Sequence, residues 1–155
     1  MKREQKMDID KLSASIREKY ALYRNADLQI LQAEEVFKAK VELTSETENH
    51  VKMMHAAYLF AVGEFLGGLV PMRYLANQDK FQPVVRDLKI EFKAPAMSSV
   101  TAETVFSQSQ ADEMNAALDK DGRYDFTLVA DLKDEAGKLV AQTTTNYAIR
   151  NFLGA

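Results

Sequence analysis

NHVKMMHAAYLFAVGEFLGGLV, Asn49 to Val70, decides how the rest of the chain is read. It opens with an asparagine and two histidines, then turns almost wholly apolar, with one acid, Glu64, in its middle. An apolar run with no polar stripe is a helix covered on all sides. A carboxylate buried there is costly unless something accommodates or uses it, so Glu64 is the first candidate for a functional residue. Met53 to Met72 is long enough to span a bilayer. A mid-bilayer acid is expensive, however, and Gly63, Gly67, Gly68 and Pro71 interrupt the run. The segment reads as the buried helix of a globular domain, not as a membrane span.

With 155 residues, 46% of them hydrophobic, the chain can bury a sizeable core, and a single domain over 1–155 is expected. A net charge of −3 and a pI near 5.5 turn the reading away from nucleic acid. The absence of cysteine removes disulfides, thiolate metal sites and cysteine nucleophiles. The charged start MKREQKMD is unlike a secretory signal, so a cytoplasmic location is expected.

Outward from the central run, the period changes several times. Ile9, Leu12, Ile16, Tyr20 and Tyr23 recur at steps of three and four, predicting an amphipathic helix over about 8–26, with Asp8 or Asp10 as cap. Val36 to Leu43 alternates as a half-buried strand. Pro71 and the looser MRYLANQD are expected to end the central helix. Strands follow at Val84 to Phe92, Val100 to Phe106, Tyr124 to Leu132 and Leu139 to Ile149, the last two joined by a turn at Asp134 to Gly137. A short helix around Asp112 to Lys120 is predicted to stop near Gly122. One apolar helix matched to about five antiparallel strands predicts an α+β domain whose sheet curls around the helix, with one face wet.

That element order, together with the opening stretch, resembles the hotdog-fold thioesterase superfamily, in particular its phenylacetyl-CoA and hydroxybenzoyl-CoA thioesterase branches. There an asparagine or glutamine precedes a His-Gly-Gly at the start of the central helix, and a catalytic acid follows nine residues after the histidine. Here Asn49 stands six before His55, and Glu64 stands nine after it. Ala56-Ala57 occupies the place of the glycine pair, and VKMM fills a loop that usually carries a glycine. IEFKAPA, Ile90 to Ala96, resembles the superfamily's strand that ends in proline or glycine. The resemblance spans about 33–150, with the 8–26 helix as an addition.

The resemblance implies hydrolysis of an acyl-CoA or related thioester, with Glu64 as nucleophile or general base. The amides at the helix start, His55, Ala56 and Ala57, would polarise the carbonyl, and Asn49 would orient water or the acyl group. It also implies an acyl chain lying against Tyr58 and Phe65, and a homodimer or dimer of dimers with the site between subunits. No cofactor is implied beyond the coenzyme A of the substrate. Strand parity puts Arg86 on the apolar side with Leu88, Ile90 and Phe92, where it would need an anionic partner in the protein or a ligand phosphate. Gly63, Gly67 and Gly68 lie three or four residues from Glu64 or beside it, and would let a substrate, a partner helix or a strand come close. Two other readings compete. One is a non-catalytic module that binds an acyl thioester or lipid. The other is a dehydratase using His50, fourteen residues before Glu64. A zinc site at ETENH with His55 is possible in principle, but glutamates in a polar loop are usually solvated, and no metal is expected.

Overall fold

The computed structural model describes residues 6–154. Asp8 caps the first helix, α1 (Ile9–Lys19), accepting from the Lys11 N–H. The single helix expected over 8–26 is in fact two. Tyr20 adopts an extended conformation, and a short helix α2 (Ala21–Asn25) follows. The break lets the two pieces bury different residues. α1 lies on the first strand through Ser13 and Ile16, while α2 turns Tyr23 toward the central helix.

The first strand, β1 (Gln29–Val41), begins earlier than its alternation suggests. Its buried residues are Ile30, Ala33, Phe37, Ala39 and Val41, so the spacing is irregular before it becomes strict. Glu35 sits at φ +57°, an unusual conformation for a residue with a side chain, and shifts the parity there. The first half of β1 is tied to α1 instead: the Ile30 N–H donates to Ser13 Oγ (2.8 Å), and Arg17 donates to the Leu28 carbonyl (2.8 Å).

The central helix is α3 (Ala56–Tyr74). It runs one turn past Pro71, and its last bond, from the Leu75 N–H to the Pro71 carbonyl, is intact at 2.9 Å. Proline removes one helical N–H without preventing the final turn from forming. β2 (Gln82–Phe92), β3 (Val100–Phe106), α4 (Gln108–Asp121), β4 (Arg123–Asp134) and β5 (Leu139–Arg150) complete the order. α4 starts before the predicted position because Ser107 and Gln110 form a reciprocal capping box, and it ends on Gly122 at φ +67°.

The five strands form one antiparallel sheet in the order β1-β3-β4-β5-β2, wrapped on α3. β4 shows why alternation works. Phe126, Leu128, Ala130 and Leu132 are buried, while Thr127 and Val129 are exposed. Against α3 runs a chain of ring contacts from Phe37 through Tyr74, Phe106 and Phe126 to Tyr147. No described helix is long and apolar enough to cross a membrane.

β2 departs from its expected parity. The ladder with β5 shifts between Val85 and Asp87, so Arg86 sits on an irregularity and faces solvent, 3.1 Å from Asp125. It is not on the apolar side with Leu88 and Ile90. Phe92, at the far end of this edge strand, is likewise exposed, at 56%.

Candidate active site

The loop before α3 is built from Asn49 upward. Its Oδ1 accepts from the Val51 and Met53 N–H groups (3.0 and 3.1 Å), and its own N–H donates to the Met53 carbonyl (2.7 Å). Asn49 therefore folds the loop and does not cap the helix. The cap is His55, whose Nδ1 accepts from the Ala57 N–H at 3.0 Å, while its backbone N–H donates to Thr47 (2.8 Å). The Ala57 amide is thus committed. The Ala56 N–H has no acceptor among the described residues. It lies at the helix N-terminus, where unpaired N–H groups and the helix dipole favour negative charge.

Ala56 also lines a cleft of about 420 Å³, with Asn49, Met54 and Leu59 on one side and Phe92 and Pro95 on the other. Sequence reasoning missed Met54, Leu59 and the Phe92–Ala96 wall. The Met54 N–H donates to the Ala96 carbonyl (2.9 Å), which joins segments far apart in the chain beside Ala56.

Glu64 lies two turns further along α3. Among the described residues it has no Lys or Arg within ion-pair distance. Burial raises its pKa, and the nearby Tyr23 hydroxyl on α2 acts in the opposite direction. The Tyr23 phenol is itself pushed up, first by burial and then by the Glu64 charge. Tyr147 on β5 also reaches this turn of α3, its hydroxyl donating to the Glu64 carbonyl oxygen at 2.8 Å.

Two of the three nearby glycines do not leave open space. A Cβ on Gly67 would stand 1.9–2.0 Å from the Tyr147 ring, and one on Gly63 would stand 2.6 Å from the Thr143 side chain. The close approach they permit is that of β5. Thr143 Oγ1, buried at this contact, has no hydrogen-bond partner among the described residues. Only around Gly68 is there nothing within 4 Å.

The other predicted residues divide. Tyr58 is half-buried near the helix start, and Phe65 is in the core, its ring 5.2 Å from that of Tyr23. Arg86 joins Arg150 and Arg123 around Asp125, away from both the cleft and Glu64. His50 is exposed in the loop. The structure thus brings Asn49 and Ala56 together with His55 and Ala57 at one end of α3, and sets Glu64 apart. Eight residues at 1.5 Å rise separate the Ala56 and Glu64 positions by about 12 Å along the helix axis.

Solved structures share this architecture. A Pseudomonas aeruginosa protein described as of unknown function, "Probable Thioesterase", is similar at 23% identity and a TM-score of 0.81, over 91% of this chain and 95% of that one. A thioesterase of Haemophilus influenzae is similar at 16% identity and 0.73, over 99% and 97%. A mutant thioesterase of Pseudomonas aeruginosa is similar at 15% and 0.75, over 95% and 96%. No curated protein sequence matches the chain. The helix wrapped by an antiparallel sheet is the hotdog fold, and with residues 12–149 matching its family model, the chain belongs to the family described as Domain of unknown function (DUF4442).

Proposed function

We propose that the protein hydrolyses an acyl thioester, an acyl-CoA in the first instance, with Glu64 as the acid that drives the reaction. One observation carries this reading: Glu64 is a half-buried carboxylate without an ionic partner among the described residues, its pKa raised by burial. A carboxylate tuned upward is a better general base near neutral pH. Glu64 takes a proton from water as the water oxygen attacks the thioester carbonyl. Charge on the carbonyl oxygen is met by the Ala56 N–H. The C–S bond then breaks, and the thiolate leaves to be protonated. Attack by Glu64 itself, through an acyl-enzyme anhydride, uses the same two groups. The cleft beside Ala56 offers Met54, Leu59, Phe92 and Pro95 to the acyl or pantetheine part, with Asn49 also lining it.

The separation of about 12 Å means that one copy cannot put both groups on one carbonyl. A homodimer resolves this. If two α3 helices pair antiparallel about Phe60, midway between Ala56 and Glu64, each acid meets the other copy's helix start. The open face of α3 supports such pairing. Phe60 is 40% exposed, and Glu64, Gly68 and Met72 continue the same stripe. The β2 edge, with Val84 and Phe92 exposed, offers unpaired backbone beside it.

The test is thiol release from short, medium, long and aromatic acyl-CoAs, comparing wild type with Glu64→Gln. Turnover should fall at least about 10²-fold in the variant. The fold should survive. A carboxyl whose folded pKa lies above its unfolded one loses stability as pH rises through that interval. The neutral glutamine should therefore match or exceed wild-type stability at pH 7, and lose that advantage at acid pH. The commitment of the Ala57 amide to His55 favours a second reading, a module that binds an acyl thioester without cleaving it. Binding of acyl-CoA with no turnover in wild type would establish that reading instead.

A further inference from the structure

Arg86 lies outside the proposed reaction, yet the fold gathers a cluster around it. Strict alternation along β2 would turn it inward, but the register shift between Val85 and Asp87 aims it at the wet face of the sheet. Arg123 on β4 and Arg150 on β5 stand directly opposite one another in the ladder, so they share that face. All three converge on Asp125. Arg150 lies 2.7 Å from its Oδ1, while Arg86 and Arg123 lie 3.1 and 4.0 Å from its Oδ2. We propose that this cluster binds a phosphate group, with Arg150 as a fixed floor and Arg86 and Arg123 as two arms that close on the anion.

Three positive charges against one negative leave the cluster a formal +2, on a chain whose net charge is −3. Asp87, the next acid on this face, accepts from the Asn146 amide instead (2.7 Å). Stability does not account for the arrangement. Exposed ion pairs contribute little, and like charges directly opposite in a sheet repel. One carboxylate cannot fill the donors of three guanidiniums. Arg150 is held from behind, its Nη1 donating to the Tyr124 and Ile149 carbonyls (3.3 and 2.8 Å), and its side chain is 25% exposed. The Arg86 and Arg123 side chains are 58% and 64% exposed, open to a ligand from solvent. A phosphate monoester brings about two negative charges near neutral pH, which matches the excess. Its oxygens also suit the planar guanidinium fork, which binds them in pairs.

The test follows the arginine side-chain N–H signals of the whole protein by NMR as inorganic phosphate is added, with chloride holding the ionic strength constant. Saturable shifts are expected at Arg86 and Arg123. Affinity should fall about tenfold in Arg123→Ala and in Arg86→Ala. Both side chains are exposed, so both variants should fold. No saturable shift in wild type, or an affinity unchanged in both variants, would overturn the proposal. The phosphate has two possible sources, the coenzyme A of a substrate or a separate small phosphate ester. Displacement of phosphate by coenzyme A but not by pantetheine assigns the site to the substrate. Phosphate that stays bound at saturating coenzyme A assigns it to a separate ligand. These readouts are of binding alone, so they decide the proposal whether or not the protein hydrolyses a thioester.

Discussion

The two faces of α3 are built on opposite rules. Toward β5 the helix gives up side chains altogether. Gly63 and Gly67 let Thr143 and Tyr147 lie directly on its backbone, and a Tyr147 hydroxyl takes one of its carbonyls. On the other face Phe60 and Met72 are exposed, with the half-buried Glu64 and the open Gly68 position between them. Both faces belong to the same apolar run, and hydrophobicity alone does not distinguish them. Glycine near the acid therefore serves two ends, close packing at 63 and 67 and open room at 68, and the opposing strand tells them apart.

The largest effect expected from this contrast is at Gly67. A methyl group there would overlap the Tyr147 ring, which is stacked on Phe126 (5.0 Å) and cannot swing away. Gly67→Ala should cost about 3 kcal/mol or more, read as a lowered denaturation midpoint. A tolerated alanine would mean that the Tyr147 ring does not lie on the helix backbone at this point. On the open face, Phe60→Cys introduces the sole thiol, since the chain has no cysteine. If α3 pairs with a second copy about this residue, mild oxidation should give a disulfide-linked dimer on a non-reducing gel. A variant that stays monomeric on the gel while sedimenting as a dimer would move the contact elsewhere. The smallest effect, and of opposite sign, belongs to Gly68→Ala. With no atom within 4 Å of the new methyl, the helix should gain about 0.5–1 kcal/mol from reduced backbone entropy. A loss of stability that depends on protein concentration would mean that a second copy covers this position.

Much of the fold was legible because single-period signals survive in it. β4 alternates strictly, Gly122 ends α4 in the left-handed conformation, and α3 announces itself by apolarity. What was not legible came from places where a backbone irregularity resets the count. The positive φ at Glu35 disguised the first half of β1, and the shifted register beside Arg86 turned a predicted inward side chain to solvent. Tyr20 divided a helix whose apolar spacing runs on unbroken through Tyr23. At the site, spacing singled out Glu64 and the helix start, but no pattern along the chain could show that His55 occupies the Ala57 amide. Nor could it show that Tyr23 packs edge-on against Phe65, the residue after the acid. Those are contacts of the folded chain.

The connectivity of β5 also bears on how the molecule assembles. It is joined to β4 by the short turn at Asp134–Gly137, while β1 reaches β3 only after α3 and β2 have been laid down. Loop closure costs less entropy over short distances, so the β4–β5 hairpin should form early and the β1–β3 pairing late. Tyr147 would then be fixed before the central helix docks onto it. A chain whose helix cannot seat on that ring is left with an apolar segment and sheet edges in solvent, the kind of species that aggregates during synthesis.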